Sequence, residues 1–156
     1  MITSMHALRR RSESGQSLVE LAVALPLFLI LILGTAEMAN IAWAAVQISN
    51  AARAGAQYGS QSHANASDSA SVQTAAKNDA PSITNLQITV TQPCKCISST
   101  GTDTGNACTL AACPSPNVIM PFIQVNTEAA VTPFMRYPGL PASYTLKGQA
   151  LMGVVK

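Results

Sequence analysis

The chain has 156 residues, a formal net charge of +2 and 10% charged residues against 48% hydrophobic ones. Once a membrane helix is subtracted, that length leaves room for one domain at most. Three of the nine basic residues are Arg9, Arg10 and Arg11 and the rest stand singly, so no basic stripe with interleaved aromatics exists and nucleic-acid binding has no footprint.

Residues 1–15, MITSMHALRRRSESG, form a polar, basic leader that ends in Gly15. The long aliphatic side chains are concentrated between Leu18 and Ile48, and residues 21–36 carry no charge. A bilayer core takes about 20 apolar residues in helical form. The segment reaches that length by running on through Met38, Ile41 and Trp43, with Glu37 and Asn40 near one boundary. The arginine cluster directly before the span orients the N-terminus to the cytoplasm, and Trp43 suits the far interface. Everything after it is then expected outside.

Pro26 removes one intrahelical hydrogen bond and predicts a kink, which membrane helices tolerate. The alanine-rich residues 44–59 favour continuation of the helix beyond the membrane. Ala51, Gly55 and Gly59, spaced by four, make a stripe of small residues. Such a stripe fits close approach by another backbone, or packing against the chain's own sheet. Glu37 can pair with a basic residue of another subunit, or reach toward water at the interface. With Asn40 and Trp43 close behind it, the second reading is favoured.

SQSHANASDS, residues 60–69, is a run of turn formers. Ser67 or Asp68 can then cap a second, short helix over Ser69–Asp79, which Pro81 ends. Past Pro81 the period changes: Leu86, Ile88 and Val90 alternate with Gln87, Thr89 and Thr91, as in a half-buried strand. A cysteine-bearing loop follows. Residues 119–132 give a second strand, limited at its start by Pro121 and broken by Pro133. Residues 143–155 give a third. These elements predict an α+β fold: a long N-terminal transmembrane helix, a short helix, and a small antiparallel sheet of about three strands. The expected division is a leader over 1–15, the helix and its extension over 16–60, and an extracytoplasmic domain over 61–156 with a Cys-rich loop at 94–113.

The four cysteines, Cys94, Cys96, Cys108 and Cys113, lie close together. An even count in a short polar segment outside the cytoplasm favours disulfides. A bond between Cys94 and Cys96 would be strained, so each is expected to pair with Cys108 or Cys113. Four thiolates could also hold zinc, but nothing else resembles a zinc ribbon. No metal and no cofactor is expected.

The informative junction is Gly15-Gln16-Ser17-Leu18-Val19-Glu20, followed at once by the apolar helix. A carboxylate at the start of a membrane helix is costly, about 2.5–3.5 kcal/mol at a helix centre and less near the interface. It becomes tolerable when a cation meets it, and cleavage after Gly15 would create one in the α-amine of Gln16. A glycine before the scissile bond leaves the backbone open to a protease. Alone, Glu20 could equally be a first-turn acid favoured by the helix dipole.

This junction resembles the processing site of type IV pilins, cut after a glycine by a prepilin peptidase, with a glutamate at the fifth mature position. Together with LVELAVALPLFLILILGTAEMAN and AARAGAQYGS it resembles the TadE-like family over roughly residues 14–60. Members are minor pseudopilins of the tight-adherence machinery that assembles Flp pili. The resemblance implies processing between Gly15 and Gln16 and contact of Glu20 with a neighbour's amine. It also implies a single-pass place in the bacterial inner membrane. Its implied partners are the peptidase, other pilins and pseudopilins, the inner-membrane assembly platform and membrane lipid. The mature chain would begin with Gln16, where pilins often carry an N-methylated aromatic residue.

Enzymatic chemistry finds no support. His6 lies in the leader and His63 in a serine-rich loop, while Asp68, Asp79, Asp103 and Glu128 are widely separated. No catalytic residue is assigned. Two alternatives remain: an uncleaved membrane-anchored binding protein, or a secreted one released at Ala42-Trp43-Ala44, which has the small-x-small pattern of a signal peptidase site.

Overall fold

The computed structural model describes residues 3–106, 108–135, 139 and 141–155, with side chains described from Gly15 onward, Asn106 excepted. The side chains of the leader, Arg9, Arg10 and Arg11 among them, lie outside the described residues. In chain order the elements are α1 (Thr3–Ser60), α2 (His63–Ser67), α3 (Ser69–Asp79), β1 (Gln87–Thr91), β2 (Cys94–Ile97), β3 (Asp103–Asn106), β4 (Val118–Val131) and β5 (Tyr144–Gly153). The class is α+β, with a long N-terminal apolar helix, short helices and an antiparallel sheet.

Two compact units divide the chain, Met1–Asn40 and Ile41–Lys156. The first is helical, and its leucines, isoleucines and valines are exposed from Leu18 to Leu33. Within Gly15–Ser60 the helix is long and apolar enough to cross a membrane. Pro26 sits inside α1 without ending it, because the bond it forfeits is one among many in a long ladder.

The second unit begins within α1, whose last turns carry Ile48, Ala51, Ala52 and Ala56 into a core. After Ser60 the expected turn contains a helix of its own. Five residues are too few to nucleate alone, and α2 is held from both sides. Ser62 caps it by accepting from the Asn65 N–H, and the Asn65 side chain donates to Tyr58 O at 3.3 Å. Asp68 then caps α3 by accepting from the Ser71 N–H at 3.1 Å.

The sheet has five strands rather than about three. The two extra strands, β2 and β3, come from the stretch read as a cysteine-bearing loop. β4 is the central strand. Along one edge it pairs with β5 in ten consecutive pairs, from Phe122↔Gly153 to Val131↔Tyr144. Along the other it pairs first with β1, Gln87↔Glu128 to Thr91↔Gln124, and then in the same register with β2, Cys94↔Pro121 to Ile97↔Val118. β3 adds to the outside of β2.

Pro121 does not limit β4, which starts at Val118. Its carbonyl accepts from the Val154 N–H at 3.0 Å, and Pro93 O accepts from the Phe122 N–H at 2.8 Å. Each proline accepts but cannot donate, so the ladder is thinned at both points without being broken.

Odd-numbered residues of β4 face the helices. Ile123, Val125, Thr127 and Ala129 are buried there with Val72 and Ala76 of α3, Ala52 and Ala56 of α1, and Ala150 of β5. The even-numbered residues form the outer face.

Candidate functional site

At the junction, residues 15–20 are all exposed, and no heavy atom beyond its own neighbourhood approaches the Cβ position of Gly15 within 4 Å. Nothing in the described fold covers the Gly15–Gln16 bond. The Gln16 side-chain amide donates to Glu20 Oε1 at 3.3 Å across one helical turn. Helical spacing makes this contact, since positions i and i+4 share a face. Glu20 is thereby placed on the same face as the residue that would become the mature N-terminus.

Further along α1, Glu37 is half-buried and Trp43 is 66% exposed. Ala44 is buried in the second unit, so the Ala42-Trp43-Ala44 tripeptide lies within continuous helix. Arg53 is on the exposed side.

The stripe of Ala51, Gly55 and Gly59 is turned inward. A Cβ on Gly55 would come 3.1 Å from Ala76 Cβ and 3.2 Å from Val72 O, and one on Gly59 would come 2.1 Å from Ile123 Cδ1. The close approach therefore occurs inside this unit, with α3 and β4.

The structure pairs Cys94 with Cys108 and Cys96 with Cys113, with Cα–Cα distances of 5.0 and 5.5 Å. All four sulfurs are engaged, and no group of three or more His, Cys, Asp or Glu gathers among the described residues. Cys94 and Cys96 both point to the inner face of β2, where Cys96, Cys113 and Ile119 form a small core of their own. Sequence spacing indicated disulfides but could not choose between this crossed pairing and the nested one, Cys94 with Cys113 and Cys96 with Cys108.

The outer face carries two ion pairs: Lys95–Asp103 at 2.5 Å and Lys147–Glu128 at 3.3 Å. Hydrogen bonds from the Lys95 ammonium and the Gly105 N–H hold the Asp103 carboxyl below its ordinary range. Asp68 is also lowered, by the Ser71 hydroxyl and main-chain N–H that it accepts from as a cap. His63 is exposed and remote from these groups in sequence. A shallow depression lined by Gln87, Thr89, Asn126, Glu128, Lys147 and Gln149 opens on the outer face. It brings one carboxylate and one ammonium together, already paired with each other, and no nucleophile.

Residues 15–57 match the family described as TadE-like protein. That family is a structural component of pili rather than an enzyme family. No curated protein and no solved structure matches the chain.

Proposed function

We propose, from the TadE-like match that opens on Gly15 itself, that this chain is a minor pseudopilin of the tight-adherence system. A prepilin peptidase cleaves it after Gly15, and the apolar helix then holds it as a single-pass subunit of the inner membrane. The remainder, with its two disulfides, lies on the periplasmic side. The single observation that carries this reading is the coincidence of three features at one place. The family match begins at the glycine that stands five residues before a glutamate, and an apolar helix long enough to cross a membrane follows.

The division of labour follows from charge. Cleavage adds a cation at Gln16 beside a carboxylate at Glu20 that already lies on its helical face. In the membrane the pair costs less than the lone carboxylate. A neighbouring subunit's amine can take the same place, so processing and assembly are linked. Partners are other pilins and pseudopilins and the assembly platform. Release as a soluble protein at Ala44 is disfavoured, because the apolar region is longer than a usual signal core and Glu37 interrupts its end.

The test is the N-terminal residue and intact mass of the membrane-extracted protein, from cells with and without the peptidase. A start at Gln16 that depends on the peptidase supports the reading. A start at Ala45, or a retained leader in peptidase-competent cells, overturns it.

A further inference from the structure

We propose that Gln16 is a modification site: as the first residue of the cut chain it closes on itself to a lactam, and Glu20 slows that closure. The site exists only if the chain is cut after Gly15, so the proposal rests on that reading. It concerns what becomes of the amine that the cut creates.

An N-terminal glutamine carries a nucleophile and an electrophile in one residue. The α-amine nitrogen can attack its own side-chain carbonyl carbon, Cδ. A bond from nitrogen to Cδ closes the ring, the Cδ–Nε2 bond breaks, and Nε2 leaves with a proton from the amine as ammonia. Nothing is oxidised or reduced, and no co-reactant is consumed. The cation is lost, because the amine has become a neutral amide. Glu20 is then a lone carboxylate at the start of the apolar helix, the costly state that cleavage would otherwise relieve.

Direction is what opposes closure. Residues 15–20 are exposed and lie within the continuous helix α1. Main-chain N–H groups of a helix point toward its N-terminus, and side chains lean the same way. An unanchored Gln16 side chain would therefore lean toward its own amine. Glu20, one turn further on, leans back over Gln16, and its Oε1 accepts from Gln16 Nε2 at 3.3 Å. That bond draws the side-chain amide down the helix, away from the end where the amine stands. It also engages Nε2, the nitrogen that must leave, and pushes electron density from it toward Cδ. The carbon to be attacked is thus both turned away and made a poorer electrophile. Glu20 acts as a positioning residue: it keeps the amine free for the carboxylate of a neighbouring subunit.

The test cuts the full chain in detergent with purified prepilin peptidase and follows intact mass at neutral pH, where each closure reads as the loss of one ammonia. Wild type should begin at Gln16 with a free amine and convert slowly. Glu20→Ala should convert at least about twofold faster, the scale of one surface contact between positions i and i+4. Glu20→Gln, whose side-chain carbonyl still accepts, should lie closer to wild type. A synthetic peptide of residues 16–19, which ends before Glu20, supplies the unanchored rate should the variants escape the peptidase, and it should close faster than the wild-type chain. Equal rates in wild type and Glu20→Ala, or in wild type and the peptide, overturn the proposal and leave cleavage standing. So does a wild-type chain that has already lost ammonia at the first time point. A chain that keeps its leader, or begins anywhere but Gln16, overturns the cleavage reading and this proposal with it.

Discussion

The side-chain hydroxyl of Thr127, in the middle of β4, donates to the main-chain carbonyl of Ile48 in α1 at 2.8 Å, and the two residues are 79 positions apart. Thr127 is the buried polar residue among the described residues, and its cross-strand partner on β5 is Gly148. A Cβ on Gly148 would stand 2.8 Å from that same Ile48 carbonyl oxygen and 2.9 Å from Ser49 Cα. The helix is therefore seated by a donor on one strand and by a missing side chain on the next.

Thr127→Val keeps the shape and removes the donor. The Ile48 carbonyl also belongs to the helical ladder, so it is not orphaned, and the loss should be about 1 kcal/mol. Denaturant unfolding of the detergent-solubilised chain measures it, with exposed Thr89→Val as the control that should change little.

Gly148→Ala should cost more than Gly59→Ala. At Gly148 the added carbon meets backbone that cannot turn aside, and overpacking of that kind costs about 1–3 kcal/mol. At Gly59 the first atom met is the terminal methyl of Ile123, a side chain with rotamers to use, and alanine gains about 1 kcal/mol of helix propensity. Thermal unfolding of the two variants ranks them. The opposite order would mean that Ile123, fully buried, has no room to move.

The parts of this fold that could be read from sequence are those whose signal is local. The apolar run from Leu18, the alternation from Leu86 to Thr91 and the Asp68 cap each declare themselves within a few residues. β2 and β3 do not. Cys94–Ile97 follows a proline, and Asp103–Asn106 is DTGN, four residues that favour turns. They are strands because Lys95 and Cys96 find Asn106 and Gly105 across a hairpin and because two cystines brace the inner side. The small-residue stripe on α1 was ambiguous for a related reason. Spacing shows that something approaches closely, but only the fold shows Val72, Ala76 and Ile123 there. The proposed processing junction lies wholly in local sequence and gains only the Gln16–Glu20 contact from the structure.

Acid should weaken the second unit through Asp68 and Asp103. Both carboxyls are held below the ordinary value of 3.8 in the folded chain. A depressed folded value means that the native state binds the proton less readily than the unfolded chain does. The stability this adds is complete above the ordinary value and is lost as pH falls through the folded one. Unfolding followed from pH 7 down to about 2 should show little change from these two groups until below about pH 4. Asp68→Asn should flatten part of the acid limb while leaving the neutral plateau less affected than Asp68→Ala does, since asparagine still caps a helix.

The two disulfides should open in a fixed order. Cys108 is exposed and Cys94 half-buried, whereas Cys96 and Cys113 are 3% and 1% exposed. A soluble thiol must reach sulfur to attack it, so Cys94–Cys108 is the accessible bond. Limited reduction followed by alkylation and peptide mass analysis should label Cys94 and Cys108 first. Cys96–Cys113 should yield only under conditions that unfold its small core with Ile119. The bonds span 14 and 17 residues, and loop entropy of that size stabilises by about 3 kcal/mol each. Losing Cys96–Cys113 also exposes buried surface, so Cys96→Ala/Cys113→Ala should destabilise more than Cys94→Ala/Cys108→Ala. Simultaneous labelling of all four sulfurs under mild reduction would mean that the β2–β3 hairpin and its turn open as one piece.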